Sequence, residues 1–306
     1  MLKTRRWVRR AGFHFLRILA RVSALGGYAG VAFIGEKLGA AHYHLGGSKR
    51  RQLLSQMARV LPERADAGQI KADLKQAYRV NDRAILEILA AYSGALPPAA
   101  LAGVCTLENH QVLDKLHQLG SGVILLGMHM GNGVALAIHL AHRGYPVSIV
   151  YRESNKIRPQ FFAYGIERNG MNAIPALPAS AGFRQMLRAL KGGGILFILM
   201  DQASKRGGVE TPFLGKTLAM PPGPVELARR TNAPIVPVRL REARGGWRFR
   251  LGTPIRLDNA QTVNQQVKML SELMEAEILS HPQWWTWHQR RWLRHPFSQN
   301  PDTQNQ

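Results

Sequence analysis

The sequence predicts an α/β fold: a mostly parallel central sheet flanked by helices, preceded by a basic helical N-terminal region. Three observations predict it. Short β-branched or apolar runs alternate with helix-like segments through the middle of the chain. The first third carries apolar residues at helical spacing among an excess of cations, and residues 263–279 repeat an amphipathic helical pattern. At 306 residues, 45% of them apolar, the chain can bury a substantial core.

In chain order, residues 1–60 read as basic amphipathic helices broken near Gly46-Gly47. After Pro62, residues 70–91 place Leu74, Ala77, Tyr78, Ile85, Ile88 and Leu89 at helical spacing, and Gly94 and Pro97-Pro98 end that run. Strands are predicted at 123–126, 146–151, 195–200 and 234–240, with helices at 133–142, 161–168, 180–190 and 225–230 between them. Residues 247–251 and 254–257 read as edge strands, because Arg248, Arg250 and Arg256 alternate with apolar neighbours. The expected division is a membrane-associating helical segment over 1–48, the main domain over 49–296 and a disordered polar tail over 297–306.

The net charge of +22 implies an anionic partner. Within residues 1–60, twelve Lys and Arg side chains stand against a single acid, Glu36, and are interleaved with Trp7, Phe13, Phe15, Leu16, Ile18 and Leu19. That mixture suits a helix on an anionic lipid surface; a solvated basic tail followed by a core helix is the alternative. The uncharged stretch 22–35 is too short to cross a bilayer and holds four glycines, although snorkelling of Arg17 and Arg21 would lengthen it into a single anchor. No small-residue cleavage site follows it, which disfavours a secretory signal. Cys105 is the sole cysteine, so neither an intrachain disulfide nor a cysteine metal site can form.

The most informative residue is His129, which ends the apolar run 122–128 and opens His129-Met-Gly-Asn132-Gly133-Val134. A strand that delivers a histidine to its C-terminal end and then runs into a helix exposes a base at a sheet edge. Metal-binding HxxEH spacing, a phosphate-binding Gly-x-x-x-x-Gly-Lys and a Gly-x-Ser-x-Gly elbow are missing from the sequence.

Around His129, the block 122–132 resembles the first motif of the lysophospholipid acyltransferase superfamily, and more narrowly that of the lipid A biosynthesis late acyltransferases, the lauroyl and myristoyl transferase family. Further blocks agree in order: Val150-Tyr151-Arg152 with Asn155; Leu199-Met200-Asp201-Gln202; Thr211-Pro212-Phe213-Leu214-Gly215 with Pro222-Gly223 and 226–231; and 233–238. The segment His281-Pro-Gln-Trp284-Trp285-Thr-Trp287-His288 with Arg290-Arg291-Trp292 resembles the family's tryptophan-rich terminal signature. The resemblance spans roughly residues 50–296.

That resemblance implies a glycerolipid acyltransferase-like fold over 49–296. It also implies O-acyl transfer from an acyl thioester, acyl-ACP or acyl-CoA, to a hydroxyl of a glycolipid such as a lipid A precursor. The thioester is a co-substrate, with no cofactor or metal. The partners would be acyl carrier protein or coenzyme A thioester, anionic membrane lipids and the glycolipid acceptor, at the cytoplasmic face of a bacterial inner membrane. Nucleic acid is not expected: tryptophans among cations can stack bases, yet no nucleic-acid motif accompanies them, and the resemblance favours packing and surface association. His129 would be the general base. Asn132, Arg152, Asn155, Asp201, Gln202 and Lys205 would contact substrate.

Arg152 has two readings, an anion or oxyanion contact and an ion pair with Asp201. Asp201 and Gln202 either belong to the site or hold strand ends together. Lys205 and Arg206 read as an anion contact or a solvated turn, and the Gly131 and Gly133 amides as oxyanion donors.

The family's carboxylate five residues after the histidine is replaced by Val134. Three readings stand open. Another group orients His129, either a backbone carbonyl or one of Asp201, Glu153 and Glu210. Or the enzyme is slow, since losing the orienting acid costs about 10⁴ in rate. Or the chain is a non-catalytic or weakly active lipid-binding or assembly protein on the same fold.

Overall fold

The computed structural model describes residues 2–61, 66–152, 160–204, 207–242 and 244–289. The front of the chain is helical: α1 (Leu2–Ser23), α2 (Gly27–Leu45), α3 (Gly47–Val60) and α4 (Ala67–Tyr92). Gly46 separates α2 from α3, where the glycine pair predicts a break. Helix α4 starts earlier than the apolar spacing indicates, because Asp66 caps it by accepting the Gly68 N–H at 2.7 Å.

Helix α2 lies directly against α4. A Cβ on Gly35 would stand 2.6 Å from the Arg83 Cα, and one on Gly39 would stand 2.5 Å from the Arg79 Cα. Two glycines four residues apart thus let two helix backbones touch.

Two short helices follow, α5 (Pro98–Ala102) and, beyond strand β1 (Cys105–Glu108), α6 (Gln111–Gln118). The remaining elements alternate: β2 (Val123–Gly127), α7 (Gly133–His142), β3 (Val147–Tyr151), α8 (Phe161–Arg168), β4 (Asn172–Pro175), α9 (Ala179–Lys191) and β5 (Ile195–Leu199). A hairpin, β6 (Val209–Phe213) with β7 (Lys216–Met220), stands outside the main sheet. Then come α10 (Gly223–Thr231), β8 (Ile235–Glu242), β9 (Trp247–Leu251) and α11 (Val263–Ser280). Helix α11 opens on a capping box: Thr262 Oγ1 accepts the Gln265 N–H, while Gln265 Oε1 accepts the Thr262 N–H at 2.8 Å.

The main sheet has seven strands in the order β1-β9-β8-β2-β5-β3-β4. From β8 through β4 neighbours run parallel; β9 is antiparallel to β8 and parallel to β1. The fold is therefore α/β with a mostly parallel central sheet flanked by helices. Strand β2 is buried along its whole length, as a central strand between β8 and β5 must be.

Two sequence expectations are corrected. Residues 247–251 are not an edge strand, because the four-residue β1 pairs along β9 and takes the edge. Trp247, Phe249 and Leu251 point inward while Arg248 and Arg250 point out, so the alternation reports one solvated face rather than a missing neighbour. Residues 254–257 contribute a single bridge, Ile255 to Ile235, instead of a strand.

Candidate active site

Strand register builds the centre. Gly127 at the end of β2 pairs with Leu199 at the end of β5. Two residues beyond each lie His129 and Asp201. The His129 Nδ1 is 2.6 Å from Asp201 Oδ1, and the His129 backbone N–H points at both carboxylate oxygens at 3.1 Å. Asp201 is fully buried. Its Oδ2 also accepts the indole N–H of Trp285 at 2.8 Å.

An ionised carboxylate only accepts hydrogen bonds, so this network assigns the proton to Nδ1 of His129 and leaves a lone pair on Nε2. The His129 side chain is 24% exposed, while that of Asp201 is fully buried. The Gln202 amide nitrogen sits 3.2 Å from Nε2 and also donates to Gln289 Oε1. The first contact agrees with Nε2 as an acceptor, and a substrate hydroxyl would take the place of Gln202 there.

The residues after His129 form a tight turn. Met130 N–H bonds to Met128 O at 2.7 Å, and Gly131 adopts φ +57°. A Cβ on Gly131 would stand 2.6 Å from the Trp247 ring, so both backbone conformation and space demand glycine there. Asn132 caps α7, accepting the Ala135 N–H at 3.0 Å, and its amide donates to Glu87 Oε2 at 2.8 Å.

The tryptophan-rich segment locks onto the turn from the other side. Thr286 N–H donates to His129 O at 2.9 Å, and Gly131 N–H donates to Trp284 O at 3.2 Å. That second bond uses the Gly131 amide, which is therefore not open to a substrate oxyanion. Trp285 and Trp287 are buried edge-to-face, with ring centres 4.8 Å apart.

The expected site residues divide accordingly. His129, Asp201 and Gln202 come together. Asn132 lies behind the turn, fully buried, with both ends of its amide engaged by protein. Arg152 is exposed at the end of β3 and forms no ion pair with Asp201, which removes that reading of it. Asn155, Lys205, Arg206 and Glu153 lie outside the described residues. Glu210 sits on the hairpin strand β6. Val134, half-buried in the first turn of α7, packs against the apolar core. The carboxylate on His129 arrives from β5 instead, and of the three readings of Val134 the geometry matches the first.

Three contributors lie beyond the sequence reading. Trp285 reads in sequence as packing or surface association, and its N–H on Asp201 shows only in three dimensions. Gln289 carries no pattern that marks it. Glu87 has a usable signal: an acid four residues after Arg83 within the apolar helical pattern of α4.

A base with an accessible Nε2, backed by a buried carboxylate, can take a proton from a hydroxyl and hold the resulting imidazolium. Known proteins with related sequences bear on what it acts upon. A phosphatidylinositol mannoside acyltransferase of Mycobacterium tuberculosis is 25% identical over 186 residues, 59% of this chain and 58% of that protein. A protein of the same name from Mycolicibacterium smegmatis is 24% identical over 196 residues, 61% of this chain and 63% of that one. The chain thus spans less than two thirds of the length of these relatives. The model for the bacterial lipid A biosynthesis acyltransferases matches residues 1–294, and the chain belongs to that family.

Proposed function

We propose that the protein transfers a fatty acyl chain from an acyl thioester to a hydroxyl of a glycolipid, with His129 as general base. The 2.6 Å contact between His129 Nδ1 and buried Asp201, on a histidine side chain that is itself 24% exposed, carries the reading. A hydroxyl at Nε2 gives up its proton to His129 as its oxygen attacks the thioester carbonyl carbon. The tetrahedral adduct collapses with cleavage of the C–S bond. The departing thiolate takes the proton back from the imidazolium, leaving an ester and a free thiol. Asp201 stays ionised and steadies the imidazolium without taking its proton.

The substrate class rests on the comparisons. One set of relatives carries the name of a phosphoglycolipid mannoside and the family carries that of lipid A, which share sugar hydroxyls beside anionic groups. A lipid A precursor is the default acceptor, and acyl carrier protein or coenzyme A the donor arm. Exposed Arg152, on the same strand-end edge as His129, suits an anionic group of either substrate.

The front of the chain supports membrane association. Residues 11–45 are long and apolar enough to cross a membrane, yet only 22% of that apolar window is buried. Phe15, Ile18, Val22 and Leu25 are exposed at spacings of three and four, on one face. We assign that face to the lipid surface at the cytoplasmic side of the inner membrane, the flanking cations meeting anionic headgroups.

The test is lipid mass spectrometry of cells lacking the native protein and carrying either wild type or His129→Ala. Acylated product is expected with wild type and none with the variant. Equal product from both would show that His129 is not the base and would favour an assembly role.

A further inference from the structure

We infer that Glu87, which touches neither His129 nor Asp201 in the hydrogen bonds described, is a positioning residue that holds the His129 turn in register and ties it to helix α2. This rests on the proposed role of His129.

Glu87 is a fully buried carboxylate in the C-terminal part of α4. Its donors come from three separate parts of the fold. Oε1 accepts Arg83 Nε at 2.8 Å; Oε2 accepts the Asn132 amide at 2.8 Å and the Trp247 indole N–H at 2.7 Å. For stability alone, an apolar side chain of similar size commonly serves as well as a buried ion pair. What the carboxylate supplies here is direction, because it accepts from partners that must point at it.

The direction matters at Asn132. Its amide nitrogen faces Glu87 while its oxygen caps α7 at Ala135, so the amide cannot flip without losing both bonds. Asn132 is three residues from His129, and the intervening Gly131 rests on the ring of the same Trp247 that bonds Glu87. Glu87 therefore clamps the turn at two points: directly through Asn132, and through the indole beneath Gly131.

The clamp continues to the front helices. The Arg83 guanidinium lies over the Trp247 ring, 4.6 Å from its centre. It bonds Glu36 Oε1 at 3.1 Å, the Tyr28 hydroxyl, and Gly246 O at 3.4 Å. Burial works against the Arg83 charge, but Glu87 and Tyr28 hold its pKa above the usual value. Tyr28 and Glu36 belong to α2. A continuous polar chain thus runs from α2, through Arg83 and Glu87, to the cap beside the base.

The experiment compares wild type, Glu87→Gln, Asn132→Asp and the double variant in detergent micelles. A glutamine cannot accept on both sides, so its NH₂ must face a donor. The expected result for Glu87→Gln is a kcat about tenfold or more lower with KM unchanged, since a small misplacement of a base costs heavily in rate. Adding Asn132→Asp reverses donor and acceptor at that contact while the Trp247 N–H still faces the new amide, so the double variant should recover part of the loss.

An activity-independent readout separates this inference from the function it rests on. The low-field proton resonance of His129 Nδ1–H, assigned by its loss in His129→Ala, should broaden or vanish in Glu87→Gln. A folded Glu87→Gln with wild-type kcat and an unchanged resonance overturns the inference. So does a double variant no better than the product of the singles. If Glu87→Gln does not fold, Trp247→Phe, which removes one donor and keeps a smaller aromatic ring, decides in its place. A weaker, broadened His129 resonance supports the clamp, and an unaltered one overturns it.

Discussion

The indole N–H of Trp285 meets Asp201 Oδ2 at 2.8 Å, on the oxygen opposite the one that receives His129 Nδ1. The terminal tryptophan segment therefore reaches the base through its acid. Trp285→Phe keeps most of the buried ring and deletes this bond. A net loss of about 1.5–3 kcal/mol is typical for a hydrogen bond to a charged group, and kcat is expected to fall about tenfold with the protein still folded. Steady-state kinetics beside a thermal melt checks it; unchanged kcat contradicts a role for Trp285 at the site.

Val134 offers a test in the opposite direction. Asp201 already occupies the Nδ1 side of His129, so Val134→Glu has no partner to orient and introduces a charge against apolar neighbours. No gain in rate is expected, and Tm should fall. A large rise in kcat would instead revive the reading of a slow enzyme lacking its acid.

Much of the site is legible in the chain itself. Strand-like runs leading into His129 and Asp201 mark both as strand-end residues, and Asp201 stands among the acids open to pairing with His129. What cannot be read is that β2 and β5 are neighbours, since adjacency of parallel strands is set by crossover topology rather than by local pattern. Strand β1 is hidden for a related reason: four residues with two outward positions carry almost no periodic signal, and without it β9 looks like an edge. The spacing from Arg83 marks Glu87 as an acid in the pattern, but its link to the site is obscured because its other two donors lie 45 and 160 residues away in Asn132 and Trp247.

Acid stability is expected to depend on His139, on the helix that follows the active turn. Burial, with further pressure from Arg143 and His142, lowers its pKa below the usual histidine value even though it bonds Ala102 O at 3.0 Å. A depressed histidine favours the neutral form in the folded state. Its stabilising contribution is therefore present above the unfolded pKa of about 6.5 and is lost as pH falls through the folded value. Melting curves from pH 7.5 down to 5 should show a steeper loss of Tm for wild type than for His139→Gln; parallel curves contradict the assignment.

For the membrane face, Ile18→Glu with Val22→Glu places two charges on the exposed apolar stripe of α1. Flotation with anionic vesicles should recover wild type with the lipid and leave more of the variant in solution. Equal flotation would show that lipid contact lies elsewhere.

The central claim, a base oriented by Asp201, is tested most directly by the kcat of Asp201→Asn, with a glycolipid acceptor and an acyl thioester. An asparagine can turn its NH₂ toward Nδ1 and favour the wrong tautomer. A fall in kcat of about 10⁴ is expected, with the fold intact. A folded Asp201→Asn protein within threefold of wild type would contradict the claim.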